Sequence, residues 1–285
     1  MRTVLTVAGS DSGAGAGIQA DLKTIAAHGG YGLSVLTAVT AQNTRAVSAA
    51  LALPPDLIEQ QFAAIFDDFQ PAAAKSGMLA DRERVAVVAA CLRRYRPPHY
   101  VLDPVMISKS GFPLLERDAI EALQRELLPL TEVLTPNVYE AELLAEMEIR
   151  TLDDARAAGA RIVEQGPRAV IVKGGHLAER PATDVLVTRA GTRQFEGEFV
   201  ESRSTHGTGC TFSAALATQL AHGRPLEQAI AIAKAYLTEA IRHGPPIGAG
   251  AGPTDHFFYL RGGDAAPWLE RLGVVGSAAG SGARA

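Results

Sequence analysis

Short, almost continuous apolar runs that alternate with helical patterns constrain this fold more than any other feature of the chain. Runs such as VLTVA, SVLTAV and AVIV lack the strict polar alternation of a half-exposed strand, which is typical of strands buried on both faces of a parallel sheet. The strands that we predict from such runs are Thr3–Ala8, Leu33–Val39, Ala73–Lys75, Tyr100–Leu102, Glu132–Leu134, Ala169–Val172 and Asp184–Thr188. We therefore expect an α/β protein, a three-layer α/β/α sandwich with a mostly parallel central sheet.

The segments between these runs have helical spacing and recognisable ends. Residues 54–69 begin with a proline pair, which suits a first helical turn, and repeat apolar residues on one face. Asp81–Arg96 opens with acidic and closes with basic residues, as the helix dipole favours. Gly17–His28 stops at a glycine pair. One hairpin is indicated around Val185–Phe199, and we expect it to be a small β excursion from the sandwich.

The length of 285 residues and the apolar content of 47% fit a single domain, which we place at residues 1–275. Residues 276–285 lack apolar periodicity, so we expect a disordered tail. Because the net charge is −4 and the basic residues are scattered, nucleic acid and membranes are poor candidates as partners. No run resembles a signal peptide or a transmembrane helix, and the two cysteines fit a reducing compartment. We therefore expect a cytoplasmic protein.

Polar and glycine-rich turns follow the carboxyl ends of the predicted strands. Open α/β sheets bind their ligands beyond these ends. Each turn alone could be an ordinary solvated loop, but their recurrence at the same end of the sheet predicts one shared cleft. The turns are Gly9-Ser10-Asp11, Gln42-Asn43, Asp103-Pro104, Pro136-Asn137 and Lys173-Gly174-Gly175.

The stretch AGSDSGAGAG, residues 8–17, suggests a nucleotide loop at first sight, but its spacing does not fit one. A dinucleotide fingerprint would need a glycine where Ile18 stands, and a phosphate loop would need a lysine much closer than Lys23. The remaining interpretation is a turn whose backbone approaches a small ligand. Asp21, on the helix that follows, is either a contact of that ligand or a surface carboxylate.

A second glycine-rich segment, STHGTGCTFSAALATQL at residues 204–220, predicts an anion site. Its Gly-Thr-Gly run leads directly into a helix of small residues, and backbone N–H groups at a helix start bind anions. Cys210 falls in the first turn of that helix, where we expect the dipole to lower the pKa of its thiol. The alternative is a cysteine that merely packs the helix, which is our interpretation of Cys91.

Seven segments in this order resemble the ribokinase-like superfamily, and within it the hydroxymethylpyrimidine/phosphomethylpyrimidine kinases of thiamin biosynthesis. Most ribokinase relatives carry an aspartate where this chain has Cys210, so the cysteine itself indicates the pyrimidine kinase branch. The segments are AGSDSGAGAGIQADLKT (8–24), TAVTAQNT (37–44), KSGML (75–79), LDPVMISKSG (102–111), TPNVYEAELL (135–144), VKGGH (172–176) and STHGTGCTFSAALA (204–217).

The resemblance implies a role for each matching site residue. Gly207, Thr208, Gly209 and Cys210 would hold the transferring phosphoryl group, and Cys210 would accept the proton of the substrate hydroxyl. The pyrimidine would contact Gln42 through its ring edge and Asp21 through its amino side, inside a pocket walled by Gly9, Met78 and Val105.

The resemblance also implies a nucleotide and a metal. Lys173 and Asn137 would contact ATP, while Glu140 would hold Mg²⁺ directly or through water with help from Asp103. Lys234 would border the nucleotide or be a solvated helix lysine. A homodimer is implied in the same way.

The predicted function is ATP-dependent phosphorylation of 4-amino-5-hydroxymethyl-2-methylpyrimidine to its monophosphate and then to its diphosphate. A vitamin B6 kinase is the alternative, because pyridoxal also carries a CH₂OH group on its ring. A non-catalytic pyrimidine sensor is a candidate from another class, and a nicotinamide oxidoreductase is disfavoured by the glycine spacing.

Overall fold

A computed structural model describes residues 1–108, 111–112, 114–175, 181–261 and 265–274. The strands are β1 (Thr3–Asp11), β2 (Tyr31–Gln42), β3 (Val47–Ala52), β4 (Ala73–Ser76), β5 (Tyr100–Leu102), β6 (Val133–Leu134), β7 (Ala169–Val172), β8 (Asp184–Thr188) and β9 (Gly191–Phe195). The helices are α1 (Gly17–Ala27), α2 (Pro55–Phe66), α3 (Arg82–Tyr95), α4 (Arg117–Glu126), α5 (Val138–Ala145), α6 (Leu152–Val163), α7 (Thr208–Ala221), α8 (Leu226–Arg242) and α9 (Ala265–Leu272). Most predicted elements are confirmed, and the main shift is that β1 and β2 run several residues further toward the cleft.

The strands form one sheet in the order β3-β2-β1-β4-β5-β6-β7-β8-β9. The six strands from β2 to β7 in this order pair in parallel, and β3, β8 and β9 pair antiparallel at the two edges. The predicted α/β sandwich is therefore confirmed. The predicted hairpin is also present, but it is not a separate β element outside the sandwich. Its first strand, β8, pairs with β7 and so widens the central sheet.

Two apolar cores, one on each face of the sheet, make the molecule three-layered. Alternate residues of β1 point to opposite sides: Leu5 and Val7 pack in the core that includes residues of α2 to α6, and Val4 packs with α1, α7 and α8. Cys91 is buried in the first core, as predicted, and burial raises the pKa of its thiol to about 11. None of the described helices has the length and apolar character needed to cross a membrane. The predicted tail lies outside the described residues.

Two histidines are buried in the layer that contains α7. His28 is packed against Tyr236, and His256 lies beside the hydroxyl group of Thr211. Burial lowers the pKa of each imidazole to about 3, since charging either ring would remove an ion from water. Both rings are therefore neutral in the folded protein at pH 7.

This burial predicts acid destabilisation. An unfolded chain binds protons to these rings near their ordinary pKa of 6.5, whereas the folded protein does not. The stability present above pH 6.5 is therefore lost as the pH falls below it. Between about pH 7 and about pH 5, the free energy of unfolding falls by about 2 kcal/mol for each of the two histidines. In urea unfolding at both pH values, His256→Gln should lose about 2 kcal/mol less than the wild type; an equal loss in both proteins would contradict this account.

Candidate active site

One cavity at the carboxyl ends of the parallel strands gathers most of the residues that we predicted for the site. With its open mouth it encloses about 810 Å³, and its wall joins the glycine turn after β1, the end of β2 and the first turn of α7. The predicted residues on its wall are Gly9, Gln42, Met78, Asp103, Val105, Asn137, Glu140, Lys173, Gly207, Thr208, Gly209 and Cys210. Asp21 and Lys234 are not among them.

Irregularities in two strands aim residues into this cavity. The pairing of β1 with β2 shifts register between Ala8 and Ser10, and the pairing of β2 with β3 shifts between Ala41 and Gln42. Such bulges redirect side chains and are common beside active sites. The shift in β2 falls at Gln42, whose backbone N–H and C=O both bond the Ser12 hydroxyl. The amide side chain of Gln42 is therefore presented from a fixed backbone.

The segment that we predict as an anion site forms the N-cap and first turn of α7. Gly207 is the N-cap with φ of 78°, a conformation that favours glycine. A Cβ atom on Gly209 would lie 3.3 Å from Asp103 Oδ2 and 3.4 Å from Lys173 Nζ, so glycine lets the helix approach both charges. The first backbone N–H groups of a helix have no partner within it and can bind a phosphoryl group here.

The glycine turn of β1 packs directly on this anion site. A Cβ on Gly207 would lie 1.9 Å from the carbonyl oxygen of Gly15, and a Cβ on Gly15 would lie 2.1 Å from the His206 ring. The backbone N–H of Gly17 lies near enough to the Cys210 thiol to favour its ionised form, although burial still raises the pKa of that thiol. The glycines of residues 8–17 therefore let two chain segments pack closely together, in addition to any role beside a ligand.

Asp103 and Lys173 form a nearly buried ion pair on the cavity wall, with Nζ 3.0 Å from Oδ1. Although burial opposes the charge, Asp103 and Glu140 together raise the pKa of Lys173. Lys173 therefore stays a cation beside the N-terminus of α7.

Glu140 is a buried carboxyl group with two functions in its local structure. It forms a capping box with Asn137, in which Glu140 Oε2 accepts from the Asn137 N–H and Asn137 Oδ1 accepts from the Glu140 N–H. Burial, assisted by the charge of Asp103, raises its pKa to about 7 even though Lys173 opposes this shift. The Asn-x-x-Glu motif thus starts α5 in addition to placing a carboxyl group in the cavity.

Glu140 and Asp103, the predicted Mg²⁺ ligands, both line the cavity. Within the described residues, no group of three or more His, Cys, Asp or Glu side chains could hold a metal ion by itself. Mg²⁺ usually takes only one or two protein carboxylates and completes its shell with water and substrate phosphates. Glu140 and Asp103 on one wall fit that requirement.

The pKa of the Cys210 thiol shifts in the direction opposite to the predicted one. Burial raises the pKa of its thiol to about 12, and the negative charges of Asp21 and Asp103 add to the shift while Lys75 opposes it. The prediction of a lowered pKa is therefore wrong, because desolvation and two carboxylates outweigh the helix dipole and one lysine. The thiol keeps its proton at pH 7.

Asp21 does not reach the cavity, in contrast to its predicted contact with the ring. It is fully buried, 2.9 Å from Lys75 Nζ, and also accepts a hydrogen bond from Thr6. Burial raises the pKa of Asp21 despite Lys75. Its side chain sits behind the wall, where it can influence Cys210 through charge but cannot bond the substrate directly.

Lys234 lies on α8, beside a separate cavity that is bordered by β9 and the residues after it. Its Nζ is 2.6 Å from Asp184 Oδ2, and Asp184 Oδ1 accepts the N–H of Gly174. Lys234 therefore contacts the turn after β7 through Asp184 rather than lining the main cavity.

Asp11 and His206 belong to the site, and we did not predict a role for either. Both line the cavity, and His206 Nε2 lies 2.9 Å from Asp11 Oδ2. Burial opposes the negative charge of Asp11, but hydrogen bonds from His206, Ala16 and Gly13 outweigh this effect and lower its pKa. The available signals were an acidic residue inside the first glycine turn and a histidine directly before the Gly-Thr-Gly run.

The packing of the two glycine segments predicts a cost for any side chain between them. Gly15→Ala should destabilise the protein by about 1–3 kcal/mol, since a methyl group would overlap the hydrogen-bonded His206 ring. Gly175→Ala is the control, because its methyl group meets no described atom within 4 Å. Urea unfolding of both variants checks this, and equal stabilities would contradict the close approach.

Comparison with known proteins agrees with the fold. Residues 11–255 match the profile of the phosphomethylpyrimidine kinase family. A hydroxymethylpyrimidine/phosphomethylpyrimidine kinase from Haemophilus influenzae is 46% identical, over 92% of this chain and 98% of its own. A thiamine biosynthesis bifunctional protein from Geobacter sulfurreducens is 48% identical over 89% of this chain, which spans about half of that relative's length, 52%.

Solved structures give the same result. A phosphomethylpyrimidine kinase from Clostridium difficile superposes with a TM-score of 0.77 at 43% identity, over 85% of this chain and all of that one, 100%. A pyridoxal kinase from Bacillus subtilis, solved with ADP, superposes with a TM-score of 0.84 at 37% identity, over 90% of this chain and 97% of that one. The fold and these matches show that the chain belongs to the phosphomethylpyrimidine kinase family.

Proposed function

We propose that this kinase phosphorylates 4-amino-5-hydroxymethyl-2-methylpyrimidine to its monophosphate, and then the monophosphate to the diphosphate, with ATP as phosphoryl donor. The observation that carries the proposal is the shared cavity, in which the N-terminus of α7 and Lys173 face the same space as the Gln42 amide. The first two suit a phosphoryl group, and the amide suits the edge of a nitrogen heterocycle.

Phosphoryl transfer depends mainly on positioning and on neutralising charge. The N–H groups of Thr208, Gly209 and Cys210 would bind the transferring group, and Lys173 would add a positive charge beside them. Asn137 would contact the nucleotide from the start of α5. Lys234 would border the adenosine end, since its partner Asp184 also holds the turn after β7.

Mg²⁺ would be held by Glu140 and Asp103, directly or through water, and when bound it neutralises phosphate charge. The raised pKa of Glu140 is a consequence of burial next to Asp103, and a cation at this wall would favour the ionised form. Lys173 and the metal would then share the negative charge of this wall.

Cys210 would accept the proton of the substrate hydroxyl. Since its pKa is about 12, only a small fraction is thiolate at pH 7, but that thiolate is a strong base in a water-poor site. The buried ammonium group of Lys75 would favour the thiolate, and its ion pair with Asp21 fixes its position.

We further propose a cytoplasmic homodimer. The edge strand β3 is largely exposed, with Leu51 68% accessible, and next to it in the sheet Val39 is 43% accessible. Exposed strand edges with apolar residues are surfaces that a second copy can cover.

The first test is a product assay with purified protein, Mg-ATP and the hydroxymethylpyrimidine, followed by chromatography of mono- and diphosphates, with pyridoxal in parallel. Two successive pyrimidine products are expected. Gln42→Ala should raise KM for the pyrimidine about tenfold and leave KM for ATP unchanged, because about one hydrogen bond is lost. Phosphorylation of pyridoxal alone would favour the vitamin B6 alternative, and binding without any product would favour a sensor.

The role of Cys210 predicts both a rate and a pH profile. Cys210→Ala should lower kcat by about 100-fold or more with little change in substrate binding. In the wild type, kcat/KM should rise nearly tenfold per pH unit between about pH 8 and about pH 10, since the thiolate fraction grows up to a pKa of about 12. The variant should lack this rise. A flat wild-type profile over this range would exclude Cys210 as the base.

A further inference from the structure

His206, Gln42, Thr40 and Asp11 form a hydrogen-bond cluster at the pyrimidine end of the cavity. His206 Nε2 is 2.9 Å from Asp11 Oδ2 and 3.3 Å from Gln42 Nε2. Thr40 Oγ1 is 3.0 Å from the Ser10 carbonyl oxygen and 3.1 Å from Gln42 Oε1. Each of these two atoms, His206 Nε2 and Thr40 Oγ1, therefore has two neighbours but only one hydrogen to offer.

The proton on His206 is fixed by its charged neighbour. Asp11 accepts backbone N–H groups from Gly13, Gly15 and Ala16, and its pKa is lowered, so it is an ionised carboxylate and only accepts. A 2.9 Å contact with it requires a hydrogen on His206 Nε2. A protonated ring nitrogen cannot also accept a hydrogen from an amide NH₂ group.

Thr40 leads to the same result independently. Its hydroxyl hydrogen can go either to the Ser10 carbonyl or to Gln42, and both of these neighbours are placed as acceptors. Amide oxygen and nitrogen have nearly the same shape, and their assignment follows from the hydrogen-bond network. Exchanging the two on Gln42 removes the donor–donor contact at His206 and the acceptor–acceptor contact at Thr40: the NH₂ group then donates to Thr40 Oγ1, and the amide oxygen shares the His206 Nε2–H with Asp11.

This orientation fixes the order of donor and acceptor on the pocket wall. His206 directly precedes Gly207, so the amide oxygen lies toward the anion site, where the reacting CH₂OH group must sit. The hydroxymethylpyrimidine carries an amino group beside its CH₂OH group and a ring nitrogen next to that, a donor followed by an acceptor. Pyridoxal carries a carbonyl and then a hydroxyl group in those positions, which is the reverse order.

We propose that His206 is a specificity-determining positioning residue, which holds the Gln42 amide oxygen toward the anion site and thereby selects a ring with an amino group beside its hydroxymethyl group. The inference rests on the proposed function, because it assumes that Gln42 contacts the ring. His206 acts through Gln42 and does not itself bond the substrate.

Neutron diffraction from perdeuterated protein without ligand tests the orientation directly, whatever the substrate is. Deuterium is expected on His206 Nε2, pointing to Asp11, and on the Gln42 atom next to Thr40. Deuterium on the Gln42 atom next to His206 would overturn the inference. If the wild type fails to phosphorylate the pyrimidine, the proposed function is wrong, but the neutron experiment still decides the orientation of the Gln42 amide.

Two variants of the same residue test the consequence for specificity. His206→Leu removes the donor and lets the amide rotate, whereas His206→Gln keeps an N–H at a similar reach. His206→Leu should lower the ratio of kcat/KM for the pyrimidine to kcat/KM for pyridoxal about tenfold, because a rotated Gln42 amide loses about one hydrogen bond to the pyrimidine. KM for ATP should stay unchanged. His206→Gln should restore most of the ratio.

Coupling to Gln42 separates positioning from a merely structural role. If His206 acts through Gln42, the double variant of His206→Leu and Gln42→Ala should bind the pyrimidine no more weakly than Gln42→Ala alone. Additive losses, or equal losses for ATP and for both ring substrates, would show that His206 only supports the fold and would overturn the inference. His206→Gln and the neutron result decide the question if the leucine variant does not fold.

Discussion

The ionised carboxylate of Asp11 holds together the two glycine-rich segments on which the whole site depends. It accepts three backbone N–H groups of the turn before α1, and it also binds His206, which directly precedes α7. The two segments then meet at backbone distance, since Gly207 has no room for a side chain beside the Gly15 carbonyl. The end of the cavity at Gln42 and the end at α7 are thereby fixed relative to each other by one anion and by glycines that leave room for the close approach.

Buried charges behind the cavity are arranged in pairs, and this explains why the thiol and carboxyl groups resist ionisation. Asp21 is paired with Lys75, and Asp103 with Lys173. Each lysine is already compensated, so neither can offset the desolvation of a further anion completely. Burial therefore raises the pKa of Cys210 and of Glu140, even though each has a lysine nearby. The helix dipole does not lower the pKa of Cys210 because burial of the thiol, which is visible only in the fold, outweighs it.

The sequence predicted the parts of the molecule that local patterns control. Continuous apolar runs identified the central strands, and motif order identified most of the cavity wall. β3 was missed because its residues, VSAALA, are small and mostly exposed, and it is a strand only through pairing with β2. Asp21 was misplaced because no local pattern tells a cavity-facing carboxylate from one that faces a buried lysine 54 residues away. His206 was overlooked because its partner Asp11 is 195 residues distant in the chain.

The pairing of charges also determines how a triphosphate can be accommodated. Asp21 with Lys75 and Asp103 with Lys173 each form a pair close to neutral, and burial raises the pKa of Glu140 to about 7, which disfavours its negative charge. Such a wall has little net positive charge with which to meet several phosphate charges. The neutralisation that phosphoryl transfer requires must then come chiefly from the N–H groups of α7 and from a cation that enters with the nucleotide. A wall without excess positive charge can admit an uncharged pyrimidine, and the N–H groups of α7 together with the entering cation would offset the charge of its monophosphate, as two successive phosphorylations at one anion site require.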